Sequence, residues 1–205
     1  MTDPPRLRIG QGIDVHAFSD DPGRRLVLGG VDLSEEGVRG LAGHSDADAV
    51  AHAVADAVLG AAGLGDLGRH MPDTDPRWAD ADSLDLLRRV VALAASAGWV
   101  PVNADCTVVA ERPRLAPHVD RMAGLLSGAL GAPVNVKATR AEGLGALGRA
   151  EGIACTAVVL LTGDPTDPTG GSTAESTGES TGDDTAFPPG VGDHAGSGTT
   201  EGGAR

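Results

Sequence analysis

Residues 45–62 read SDADAVAHAVADAVLGAA, and this stretch decides the fold class. Val50, Val54 and Val58 recur at helical spacing, which predicts a first helix. Ser45 and the early aspartates Asp46 and Asp48 suit its N-terminal end, where oxygens accept free N–H groups and negative charge meets the helix dipole. Upstream, LRIGQGIDVHAF (7–18) and RRLVLGGVDL (24–33) carry strand composition between Gly and Asp-Pro-Gly turn signals, so a hairpin or two neighbouring strands are expected. Downstream, DADSLDLLRRVVALAASAG (80–98) repeats the helical pattern through Leu84, Leu87, Val91 and Ala94, with Gly98 as its C-cap. WVPVNADCTVVAE (99–111) alternates as a strand and PRLAPHVDRMAGLLSGALG (113–131) is a third helix; VNVKAT (134–139) and IACTAVVLL (153–161) close as strands. Strands interleaved with helices predict an α/β fold, an α+β sandwich in which a mixed sheet carries its helices on one face.

The 205 residues are 40% hydrophobic but only 2% aromatic, so aliphatic side chains must fill the core. Of the net charge of −13, the larger part lies beyond Gly163, where Asp164, Asp167, Glu175, Glu179, Asp183, Asp184, Asp193 and Glu201 face Arg205 alone. That end is Gly, Ser, Thr and Pro with Phe187 and Val191 as its large apolar residues, too few to offset chain entropy. Residues 1–162 are therefore expected to form the folded domain, and 163–205 an acidic tail without fixed structure. The acidic balance argues against nucleic-acid or membrane-surface partners. Cys106 and Cys155 lack CxxC spacing and suit a reducing compartment as small core residues. MTDPPRLRIG lacks the apolar core of a leader, and a soluble, cytoplasmic protein is expected.

Asp14 and His16 lie two apart on the first predicted strand and so share a face. With His52 from a helix packed beside that strand they would form an Asp/His/His set, three protein ligands that leave one tetrahedral position for substrate. On spacing alone the pair is weak evidence for a metal, and a surface carboxylate bonded to a nearby histidine is the commoner reading. His70 reads as a solvated loop residue, and His118 as one that packs or hydrogen-bonds near a helix start.

The motifs RIGQGIDVHAF (8–18), GHSDADAVAH (43–52), LGDLGRHMPDTDP (64–76), AERPRLAPH (110–118) and NVKATRAEGLGALGRAEGIA (135–154) arrive in an order that resembles the 2-C-methyl-D-erythritol 2,4-cyclodiphosphate synthase family over about 6–162. The resemblance implies a homotrimer with active sites at subunit interfaces and Asp14, His16 and His52 as ligands of one zinc ion per subunit. Glu142 would hold a second divalent cation, magnesium or manganese. His44 and Ser45 would meet the substrate phosphates, with His44 and Arg140 acting in catalysis. Asp14, Val15 and His16 would also bind substrate, and Asp66, Gly68, Met71, Pro72, Asp73, Thr74 and Asp75 would hold its methylerythritol part. Ala110, Arg112, Pro113, Arg114, Leu115, Ala116 and Thr139 would form a cytidine pocket contributed by the neighbouring subunit. Arg140, Ala141, Ala146 and Arg149 complete the set.

The implied reaction joins the 2-phosphate of a cytidine-diphosphate derivative to its own β-phosphorus and expels CMP. Arg140 and Ala141 stand where the family has threonines, Ala146 where it has an aromatic lining the trimer axis, and Ala150 where it has glycine. A zinc-dependent phosphohydrolase, or a ligand-binding homologue weakened in turnover, fits the same Asp/His/His set.

Overall fold

The computed structural model describes residues 6–163. The expected acidic tail lies outside those residues. The chain runs β1 (Arg6–Ala17), β2 (Val27–Leu28), β3 (Val31–Asp32), α1 (Ala49–Ala62), α2 (Leu67–His70), α3 (Ser83–Ser96), β4 (Trp99–Val109), α4 (Val119–Leu130), β5 (Val134–Thr139), α5 (Gly145–Gly148) and β6 (Gly152–Gly163). The main sheet has the order β1-β6-β4-β5, antiparallel except for the parallel β4–β5 pair, and is thus mixed as expected. Helix α1 packs on β1 and β6, α4 on β5, and α3 bridges α1, α4 and β4. The helices cover one face of the sheet. The other face shows Leu7, Ile9, Ile13, Val15, Val100 and Val158 exposed, with Ile9 at 74%.

The segments 7–18 and 24–33, expected as a hairpin or as neighbouring strands, do not pair with each other. β1 pairs with β6 along its whole length, from Arg6 opposite Gly163 to Ala17 opposite Gly152. The second segment folds on itself instead, because Gly29 and Gly30 both adopt positive φ (55° and 74°) and turn β2 back onto β3. Helix starts also shift inward from the expected limits. Of the residues expected at the start of α1, Asp48 is the N-cap, accepting from Val50 N at 3.0 Å and Ala51 N at 3.1 Å. The same buried carboxylate accepts from Gly29 N (2.8 Å) and Gly30 N (2.6 Å), so one side chain ties the β2–β3 turn to the helix end. Asp82 caps α3, whose C-cap is Ala97, with Gly98 following at φ 78°.

α1 is built of small residues, and all of its residues are buried except His52, Asp56 and Gly60. Its closeness to β1 depends on two glycines. A Cβ at Gly10 would stand 1.9 Å from Ala57 O, and one at Gly12 would stand 2.0 Å from Ala53 O. The helix therefore rides directly on the strand backbone, which brings His52 down to the level of Asp14 and His16. The core around it is aliphatic, with Leu28, Leu59, Leu87, Met122, Leu126 and Leu161 among its fully buried side chains, and Cys106 and Cys155 are buried in it as expected.

Candidate metal centre and active site

β1 alternates along its length, and Asp14 and His16 fall on the helix-facing side while Ile13 and Val15 fall on the open one. Asp14 Oδ2 lies 2.9 Å from His16 Nε2 and 3.2 Å from His52 Nδ1, and the two nitrogens are 3.4 Å apart. Among the described residues this is the one group of three or more His, Cys, Asp or Glu side chains whose ligand atoms converge. Burial alone would raise the Asp14 pKa, but hydrogen bonds and charge from His16 and His52 outweigh it and hold the carboxyl well below its usual range. Burial likewise pulls His16 down, yet Asp14 more than reverses this and raises it. The three groups together attract positive charge.

Outer contacts decide which atoms carry protons. The carbonyl of Ala42 can only accept, so His16 donates Nδ1–H to it at 2.7 Å and presents a lone pair at Nε2. Ser83 donates its hydroxyl proton to Asp46 and therefore accepts from His52 Nε2–H at 2.9 Å, leaving a lone pair on Nδ1. A carboxylate oxygen and two imidazole lone pairs then point at one another. That donor set fits a divalent cation of the zinc type, with mixed nitrogen and oxygen ligands from three side chains.

The trio forms part of the wall of a cavity of about 490 Å³, with His44 and Ser45 from the segment before α1 and Gly68, Met71, Pro72 and Asp73 from the loop after it. His44 is exposed, its Nε2 donating to Asp75 O at 3.1 Å. Ser45 is buried, its hydroxyl turned inward to His52 Nε2 (3.1 Å) and Ala47 N (3.2 Å). Asp66 caps α2 by accepting from Arg69 N, and Asp75 is held by Arg77, whose hydrogen bonds keep its carboxyl below the usual range. Thr74 is exposed and lies outside this cavity's lining. Val15 points to the opposite face of the sheet, 61% exposed, as the strand period requires.

The expected cytidine residues form a different cavity, of about 350 Å³, lined by Ala110, Pro113, Arg114, Leu115, Ala116 and Thr139 among others. Arg140 stands at this second cavity too, its Nε and Nη2 donating to Glu111 Oε2 at 2.8 and 2.7 Å. Arg112 is exposed and outside its lining. Within one chain, then, the structure does not bring the two halves of the expected site together. Glu142 is exposed at φ 52° and does not join the Asp14 trio. Ala141 and Ala146 lie on the same outlying segment, and Arg149 pairs with Glu151. Ala150 has φ 56°, the strained alternative for a residue with a Cβ.

Two histidine expectations resolve differently. His70 is half-buried, bonded to Leu64 O at 2.8 Å, and is no solvated loop residue. His118 stands at the N-cap of α4 and bonds Glu36 at 2.9 Å, as expected. Leu67, Trp78 and Leu86 line the larger cavity without having been anticipated. Trp78 carries the guanidinium groups of Arg77 and Arg89 near its ring, each at 5.5 Å, and a lone tryptophan beside prolines gives no periodic signal.

Fold and site together define an α/β protein with an Asp/His/His group that could hold a divalent cation at the wall of an open cavity. The profile of the YgbB family matches residues 7–162, and the chain belongs to that family. It is 57% identical over 158 residues to a 2-C-methyl-D-erythritol 2,4-cyclodiphosphate synthase from Geobacillus kaustophilus, covering 76% of this chain and 98% of the relative. It is also 57% identical over 155 residues to a bifunctional enzyme IspD/IspF from Anaeromyxobacter dehalogenans, covering 74% of this chain but 39% of that longer protein. Among solved structures, the bifunctional IspDF from Campylobacter jejuni matches with a TM-score of 0.73 at 38% identity, over 78% of this chain and 43% of that one. A 2C-methyl-D-erythritol-2,4-cyclodiphosphate synthase in its CDP-bound form matches with a TM-score of 0.65 at 36% identity, over 75% and 99% of the two chains. No helix among the described residues is long and apolar enough to cross a membrane.

Proposed function

We propose that this protein converts 4-diphosphocytidyl-2-C-methyl-D-erythritol 2-phosphate to 2-C-methyl-D-erythritol 2,4-cyclodiphosphate and CMP, a lyase step of non-mevalonate isoprenoid synthesis. The observation that carries the reading is the convergence of Asp14, His16 and His52 at 2.9–3.4 Å on a cavity that His44 and the 68–73 loop complete. The relatives named above support it, since one of them is matched over 98% of its own length by 76% of this chain.

In this reading an oxygen of the 2-phosphate forms a bond to the β-phosphorus, and the bond from that phosphorus to the bridging oxygen breaks. CMP leaves with the bridging oxygen, and no water is consumed. No protein nucleophile is needed. The chain folds the substrate back on itself and places N–H donors against the phosphoryl oxygens where charge moves. His44, exposed at the cavity, can turn its Nε2–H from Asp75 O to a phosphoryl oxygen, while the 68–73 loop holds the diol end. A zinc ion held by Asp14, His16 and His52 would act as a Lewis acid on a phosphoryl oxygen. A second divalent cation would be held through Glu142.

The same reading includes a homotrimer. Its support is the open apolar face of β1, β4 and β6, together with the separation of the nucleotide-type cavity at Ala110–Ala116 from the metal centre. A neighbouring copy would bring the second cavity to the first. In this arrangement Arg140 replaces a hydroxyl donor with a charged one beside the nucleotide phosphates.

The test is CMP release by zinc-loaded protein, with the second product identified by mass and His52→Ala as control. Cyclic diphosphate that vanishes in the control is the expected result. Inorganic phosphate without a cyclic product would replace the reading with a phosphohydrolase, and zinc binding without CMP would replace it with a ligand-binding homologue.

A further inference from the structure

The segment that carries His44 and Ser45 has no helix or strand of its own, yet each of its carbonyls is taken. Leu41 O accepts from Arg24 Nε at 3.1 Å, Ala42 O from His16 Nδ1 at 2.7 Å, and Gly43 O from Arg24 Nη2 at 3.2 Å. His44 O accepts from Asp80 N at 2.9 Å, and Ser45 O again from Arg24 Nη2. One guanidinium thus holds alternate carbonyls along the segment. Its remaining nitrogen, Nη1, bonds Asp80 Oδ1 at 3.1 Å, so it also steadies the residue that holds the His44 carbonyl. The Arg24 side chain is 18% exposed and anchored by this set of bonds. It lines a separate cavity of about 270 Å³ with Asp21, Asp46 and Asp80, and is absent from the lining of the cavity that holds the trio.

We propose that Arg24 is the positioning residue of this site. It sets where His44 stands, and by fixing the carbonyls on both sides of Ala42 it holds the acceptor that keeps the His16 proton on Nδ1. His16 Nε2 is thereby kept as a lone pair directed at Asp14 and His52. Arg24 touches no reacting atom and acts through the 41–45 carbonyls and Asp80. The inference rests on the reading that the trio binds a cation. Its chemistry requires the planar fork of arginine: the single nitrogen of a lysine carries the same charge but cannot reach the Leu41, Gly43 and Ser45 carbonyls together.

The experiment compares full-length wild type, Arg24→Lys and Arg24→Ala. Zinc affinity is read by competition with a chromophoric chelator, fold by far-UV circular dichroism, and kcat and KM by CMP release. Both variants are expected to keep the wild-type spectrum and to bind zinc about 10- to 100-fold more weakly, the usual cost of losing an outer-shell partner. kcat should fall about 100-fold, as for a catalytic group displaced by about 1 Å, with KM changed less. Lysine should be no better than alanine. If alanine prevents folding, the lysine variant decides the matter. Wild-type zinc affinity in a folded Arg24→Lys protein would overturn the proposal, as would recovery of kcat by lysine. A wild type that binds zinc but releases no CMP would overturn the reaction proposed above and leave the zinc comparison as the test of Arg24.

Discussion

Replacing Gly12 with alanine should separate His52 from Asp14 and His16 without touching any of the three. The new Cβ would meet Ala53 O at 2.0 Å, against about 3.4 Å for ordinary contact, so α1 must lift from β1 by about 1.4 Å or the strand must sink by as much. His52 sits in the first turn of that helix, next to Ala53, while Asp14 sits two residues from Gly12 on the strand. The 3.2 Å between His52 Nδ1 and Asp14 Oδ2 therefore opens by an amount far beyond the ~0.2 Å tolerance of a zinc–ligand bond. Overpacking of this kind costs about 1–3 kcal/mol, and roughly 2–4 °C of Tm per kcal/mol for a domain of this size. Zinc affinity should fall by more than about 100-fold, beyond the range typical of outer-shell losses. Gly60→Ala is the control, since a Cβ there meets only Gln11 O at 3.9 Å on the same helix–strand seam. Chelator competition and thermal melting of both variants measure the two quantities separately. A Gly12→Ala protein that melts lower but binds zinc like the wild type would refute the idea that α1–β1 closeness sets the ligand geometry.

Two further outcomes follow from the caps and pairs. Asp48→Ala strips the acceptor from the N–H groups of Gly29, Gly30, Val50 and Ala51. It should lower unfolding free energy by about 3 kcal/mol, from ~1 for an N-cap and ~1 for each orphaned turn N–H, and a urea midpoint change worth under ~1 kcal/mol would contradict this. Asp105 is held below its usual pKa by Lys137 and then Asn135, which bonds it at 2.6 Å. A lowered folded pKa means stability that is present above the ordinary carboxylate value of about 3.9 and lost as pH falls through the folded one. Wild type and Asp105→Asn should therefore differ at neutral pH by less than ~1 kcal/mol, because the pair is half exposed, and should converge in acid. A gap in Tm that persists or widens in acid would reverse the assigned sign.

Much of this architecture was legible in short-range pattern. The valines of 45–62 mark α1, and 134–139 reads as a strand with its observed limits. The two-residue spacing of Asp14 and His16 places them on one face, and that inference survives intact. What escaped depends on distant partners or on backbone. Nothing in 7–18 says that its partner is 152–163 rather than the nearer 24–33, because both have strand composition and only the Gly29–Gly30 turn diverts the latter. α2 and α5 are four residues each, too short for any period to show. Ser45, Asp46 and Asp48 all suit the start of α1, and Asp48 takes the cap because it offers two oxygens at a point where four N–H groups meet. Arg24 left no signal because it serves carbonyls, which every residue carries.

Strand β1 does two jobs with alternate residues. Its even positions from Gly10 to His16 admit the helix and carry Asp14 and His16 toward His52, while Leu7, Ile9, Ile13 and Val15 form the open apolar face. A lineage carrying this strand can change either set by substitution, one residue at a time. It has no tolerance for a gain or loss of a single codon there. One step of slippage against β6 would turn isoleucine toward the helix and histidine outward, undoing the Asp14/His16/His52 group and the apolar face in the same mutational event.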